Sequence, residues 1–206
     1  MIGLICLLIY FVLTRYIYKE YNSDRDIFKN KRIRFIVDLF GMILLSIIFA
    51  IQYLNNVENK IIIVNLSLLT LLYTAAVTDF KESSIVFINN IMCYFIILIN
   101  MVFDLLNGSD VKYVCTILFT LYILLILLTS IKALGKGDIS LIITIFYLMY
   151  INSMLIKEYI LFTLFIISVT GIITGLIKYK KVKLKSYVAL APSLFIGAYI
   201  LMIFAF

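Results

Sequence analysis

The chain has 206 residues, is 65% hydrophobic and only 14% charged, and carries a formal net charge of +7. Soluble domains average roughly 45–50% apolar and about 25% charged residues, so this composition excludes an ordinary water-soluble fold and implies a membrane protein. The sequence has no histidine, which removes Ser-His-Asp and Cys-His catalysis and any H-E-x-x-H zinc site.

A bilayer core of about 30 Å takes roughly 17–25 helical residues to cross. Eight apolar runs of that order follow one another, predicted at 2–18, 35–54, 61–78, 85–103, 113–131, 139–156, 159–177 and 187–206. Continuous apolar runs without period-2 alternation favour helices over a barrel. The expected fold is therefore an all-α polytopic membrane bundle of about eight transmembrane helices, a single integral membrane domain over 1–206. The first run is followed, not preceded, by positive charge and has no small-x-small cleavage site, so it reads as a retained span.

Charge sets the expected orientation. With the amino terminus outside, 15 of the 18 Lys and Arg residues fall on the inner side; only Lys60, Lys112 and Lys157 fall outside. This bias follows the positive-inside rule and places both termini outside the cell membrane. The net charge is thus a topology signal and gives no reason to expect nucleic acid as a partner; the 178–186 segment (KYKKVKLKS) can add attraction to anionic lipid. Residues 19–34 form a short, charged cytoplasmic loop. Cys6, Cys93 and Cys115 lie within apolar runs without C-x-x-C spacing, as expected for buried, inert thiols with no zinc or disulfide role. Gly171-x-x-x-Gly175 is the spacing of close helix packing.

Most acids have simple explanations. Glu20, Asp24 and Asp26 belong to the inner loop, Glu58, Asp104, Asp110 and Glu158 to outer loops, and Glu82 neighbours Lys81. Asp38 is expected in the first turn of the second span, where the helix dipole favours an anion. Asp79 and Asp138 stand apart. Asp79 ends the third span and Asp138 opens the sixth, which run in opposite directions, so both acids are expected at one depth on the cytoplasmic side. Taken singly, Asp79 reads as a boundary residue and Asp138 as an N-cap after a Gly135–Gly137 turn. Ionisable groups beside hydrocarbon are costly and mark pathways or reactive sites, so a paired role in either catalysis or ion and proton relay is expected.

Gly135-Lys136-Gly137-Asp138 matches the G-x-G-D motif of intramembrane aspartyl proteases. Asp79-x5-Ile85, with Asn89 following, is similar to the first aspartate motif of the prepilin peptidases, and Leu190-Ala191-Pro192-Ser193-Leu194 is similar to their C-terminal proline segment. With three signatures in order from about residue 61 to the end, the chain resembles the prepilin peptidase family; Val86 replaces a frequent proline and Ser140 a frequent lysine. Presenilin-type relatives carry their two aspartates on consecutive spans, whereas two whole spans intervene here. The 19–34 loop has no cysteine, which implies a short form without the zinc-bearing methyltransferase region of longer members.

The resemblance implies an Asp79/Asp138 dyad that activates water, with no metal or organic cofactor. Gly135, Lys136 and Gly137 would shape the site, and Pro192, the only proline, would kink the last helix near it. The implied substrate is a prepilin-like protein cut on the cytoplasmic face, with pilus or secretion machinery as a further partner. A non-catalytic carrier or channel using the same acids is the alternative.

Overall fold

Leu, Ile and Phe dominate each apolar run, and a backbone in a low-dielectric setting must satisfy its own hydrogen bonds; the result is helix throughout. The computed structural model describes residues 2–21, 31–82, 87–130, 135–155, 157–179 and 190–206. Among these are eight helices: α1 (Ile2–Tyr21), α2 (Lys31–Leu54), α3 (Asn59–Glu82), α4 (Phe87–Leu106), α5 (Lys112–Ser130), α6 (Asp138–Ile151), α7 (Lys157–Tyr179) and α8 (Ala191–Phe204). Four of them, α2 to α5, are long and apolar enough to cross a membrane. Large side chains such as Val12, Phe35, Leu98, Phe119 and Phe165 face outward, an apolar exterior that fits hydrocarbon better than water.

The helix α3 is the axis of the bundle. Within its apolar stretch 78% of residues are buried, against 22% in α2 and α4 and 11% in α5. It packs against α1, α2, α4, α6 and α8, while α5 rests mainly on α6 and α7 on α8. Its burial also covers Asn65, Ser67, Thr70, Thr74, Thr78 and Asp79. The hydroxyls are satisfied within the helix: Ser67 donates to the Ile63 carbonyl at 2.7 Å, Thr70 to Leu66 at 2.7 Å and Thr78 to Thr74 at 3.0 Å, so they cross the apolar interior without unmet donors.

Small residues permit the closest approaches. A Cβ on Gly41 would stand 2.5 Å from the Tyr73 ring and 2.6 Å from the Tyr10 hydroxyl, and one on Gly197 would stand 2.7 Å from Ile167. The Tyr10 and Tyr73 hydroxyls cross this gap to donate to the Asp38 and Val37 carbonyls at 3.0 and 2.7 Å. Gly171 faces Ser193 across the α7–α8 contact.

The helix ends differ from expectation at four places. α6 stops at Ile151, not 156, because the Asn152 amide donates to the Leu148 carbonyl (2.7 Å) and to Asn65 (3.0 Å), and Ser153 turns the chain left-handed at φ 56°. At 14 residues it is only about 21 Å long. α8 starts at Ala191, so Pro192 lies in its first turn and kinks nothing; no N–H is required there. Asp38 sits two turns inside α2 and not in its first turn, because the helix extends back to Lys31; it pairs with Arg34 at 3.9 Å. Asp104 is no solvated loop acid: it lies within α4 and binds Lys60 of α3 and Asn100, whose amide also donates to Tyr147 at 2.6 Å. Cys93 is buried as expected, whereas Cys115 is exposed, since α5 turns most of its surface outward. The side chains of Cys6, Lys81, Glu82 and Gly175, residues 83–86 with Ile85 and Val86, and most of the two basic loops lie outside the described residues.

Candidate active site

α3 carries Asp79 near its C-terminal end, whereas α6 carries Asp138 and α8 carries Ala191 at their N-terminal ends. Contacts among all three helices, together with an antiparallel α3, bring these ends together. The opposite end is fixed independently by the reciprocal Asn65–Asn152 amide pair, at 2.9 and 3.0 Å. The direction of the bundle around the two acids is therefore set by hydrogen bonds at both ends.

Asp79 is 5% exposed. Its Oδ2 accepts the backbone N–H of Ala191 at 3.0 Å, a bond that spans 112 residues of sequence. The first N–H groups of a helix have no partner within it and carry the positive end of the helix dipole. Asp79 thus caps α8 from a distant helix. Pro192, Ser193 and Leu194 beside this contact are buried, so the capped end is sealed by packing.

Asp138 is partly buried and is the first residue of α6; Gly137 is the N-cap, and no side chain caps the helix. The carboxylate instead folds back, and its Oδ2 accepts the Gly135 N–H at 3.1 Å, while the Asp138 N–H donates to the Gly135 carbonyl at 3.1 Å. Asp138 is therefore not the N-cap expected from its spacing, because Gly137 already adopts helical dihedrals. Asp79 and Asp138 thus lie at the same end of the packed α3, α6 and α8 helices.

The two glycines of the motif play different parts. A Cβ on Gly135 would lie 2.9 Å from Asp138 Oδ2, so this position must lack a side chain for the carboxylate to fold back. Gly137 has φ −70° and ψ −25°, a conformation open to any residue, which corrects the expectation that both glycines are needed by the turn. Lys136 is exposed at the tip of that turn.

Several residues at this end carry hydrogen bonds that the motifs alone did not single out. Thr74 donates to the Asn89 side chain at 2.9 Å, and Asn89 donates to the Leu71 carbonyl at 3.2 Å. Ser140 donates to Asn90 at 2.6 Å and to the Gly137 carbonyl at 3.1 Å. The sequence signal for α3 was the i, i+4 series Thr70, Thr74, Thr78, a polar stripe inside an apolar run; Asn90 and Ser140 give no such periodic signal.

Among the described residues no group of three His, Cys, Asp or Glu side chains could hold a metal ion. A wide apolar groove between α4 and α5 is lined by Tyr94, Met101, Cys115, Phe119, Tyr122 and Ile143 among others. Chemically, the aspartate end offers two carboxylates, each held by a backbone N–H. No family model, curated protein or solved structure matches the chain.

Proposed function

We propose that the chain is a membrane-embedded aspartic endopeptidase of the prepilin peptidase type, in which Asp79 and Asp138 activate water. The observation that carries this reading is the convergence of the two acids at one end of the bundle: one buried on α3 and bonded to the α8 terminus, the other folded back at the terminus of α6, which packs on both α3 and α8. The ordered motifs that surround both acids add support. In this reading the eight-helix bundle is embedded in the cell membrane, both termini lie outside, and the aspartate end faces the cytoplasm, as the distribution of Lys and Arg favours.

Two neighbouring carboxyl groups resist joint ionisation and hold one proton between them, and their titration belongs to the pair. The ionised member takes a proton from water as the water oxygen attacks the scissile carbonyl carbon; the protonated member donates to the carbonyl oxygen. Collapse of the tetrahedral adduct breaks the C–N bond, the amine leaves with a proton, and the dyad returns to its starting state. The Ala191 and Gly135 N–H groups hold one oxygen of each acid in place throughout. The substrate is a prepilin-like protein, its basic leader reaching the dyad and its hydrophobic segment remaining in the bilayer.

Co-expression with a prepilin-like substrate tests the proposal. Leader removal is expected with the unmodified chain and is lost with Asp79→Asn or Asp138→Asn, while membrane insertion persists. Solute flux that depends on both acids, without any cleaved product, would replace the peptidase reading with a carrier.

A further inference from the structure

Asn89 and Asn90 are consecutive residues in the first turn of α4. Adjacent positions on a helix point about 100° apart, and these two face different neighbours. Asn89, 1% exposed, binds α3 through the Thr74 hydroxyl at 2.9 Å and the Leu71 carbonyl at 3.2 Å. Asn90 binds α6 through the Ser140 hydroxyl at 2.6 Å. Thr74 lies five residues before Asp79 and Ser140 two residues after Asp138, about 7.5 and 3 Å along their helix axes.

The α4–α6 seam continues beyond this turn. Cys93 is buried one turn on in α4, and Asn100 is hydrogen-bonded to Tyr147 of α6 beyond it at 2.6 Å. The helix is therefore joined to α6 along its length and to α3 close to Asp79. We propose that α4 is a strut that sets the separation of the two acids, with Asn90 and Ser140 as positioning residues and Asn89 as the matching anchor on α3. This rests on the peptidase reading for its catalytic consequence, but not for the geometry itself.

A neutral side chain suits this task. A charged group two residues from Asp138 would enter the electrostatics of the pair, whereas the Asn90–Ser140 bond fixes distance without adding charge. When the bond is removed, α6 can drift from α3, and the mutual effect of the two carboxyl groups weakens. The limbs of the pH–rate profile should then move toward each other.

The test uses the full chain in lipid vesicles. In Asn90→Ala and Ser140→Ala, kcat for a prepilin-like substrate should fall about tenfold or more with KM within about twofold, and the bell should narrow. Ser140→Thr, which keeps the hydroxyl, should restore both. Independently of cleavage, an Asp79→Cys/Asp138→Cys pair should be bridged by a short thiol cross-linker, and adding Asn90→Ala should slow bridging about tenfold. Unchanged cross-linking with unchanged kcat and bell width in both alanine variants would overturn the strut. Efficient cross-linking that depends on Asn90, in a chain that cleaves nothing, would overturn the peptidase reading and keep the strut.

Discussion

The Asp79 carboxylate accepts the Ala191 N–H at 3.0 Å, so an acid on α3 caps a helix that begins 112 residues later. One group therefore serves both folding and the proposed chemistry, and the two roles can be separated by substitution. An asparagine at 79 keeps an acceptor oxygen for the α8 terminus but cannot share a proton. Asp79→Asn should retain most of the stability while cleavage falls at least about 100-fold. Asp79→Ala should lose the cap as well and cost about 1–2 kcal/mol more in stability. Unfolding in detergent beside a cleavage assay checks both; equal stability of the two variants would contradict the capping role.

The glycines of the G-x-G-D turn should respond unequally. Gly135→Ala places a methyl group 2.9 Å from Asp138 Oδ2 and must displace the carboxylate from the Gly135 N–H. Its expected effect is a fall in kcat of about 100-fold, the scale of a misplacement of about 1 Å. Gly137→Ala incurs no dihedral strain at φ −70° and ψ −25° and should stay within about tenfold of the unmodified rate. A larger loss at 137 than at 135 would show that the turn works differently.

Pro192 should matter less than a kink would require. It stands in the first turn of α8, where its fixed φ and missing N–H cost nothing. Pro192→Ala is expected to lower stability by about 1 kcal/mol or less, through the greater freedom of the unfolded chain. A change of several kcal/mol, measured by denaturation in micelles, would imply a role that the helix start does not explain.

The opposite end of the bundle provides a control. Lys60 of α3 pairs with Asp104 of α4 and lies over the Phe103 ring at 4.6 Å, while Asn100 links Asp104 to Tyr147 of α6. Lys60→Ala should reduce stability by about 1 kcal/mol and leave kcat within about threefold, because the aspartates lie at the far end of α3. A collapse of kcat with intact stability would mean that the two ends are coupled.

Much of this arrangement was legible before the fold was known, because eight apolar runs separated by polar breaks leave little choice for a helical chain. The helix ends were less legible. Asn152 and Ser153 look like continuation of a span, yet the Asn152 amide bonds Asn65 from α3 and ends α6 there. Pro192 in a long apolar run reads as a kink until the helix start is fixed at Ala191. At the site, spacing alone marked Asp79 and Asp138 but said nothing of Ala191, whose contribution is a backbone N–H and therefore independent of residue type. Asn90 and Ser140 were equally hidden, since their value comes from a pairing between helices 50 residues apart.

The most direct test is the rate of leader cleavage against pH, in vesicles, for the unmodified chain and for Asp79→Asn and Asp138→Asn. A proton shared between two acids predicts a bell-shaped profile for the unmodified protein, with both variants silent at every pH. Cleavage by either variant at any pH, or a profile without an acidic limb, would contradict the dyad.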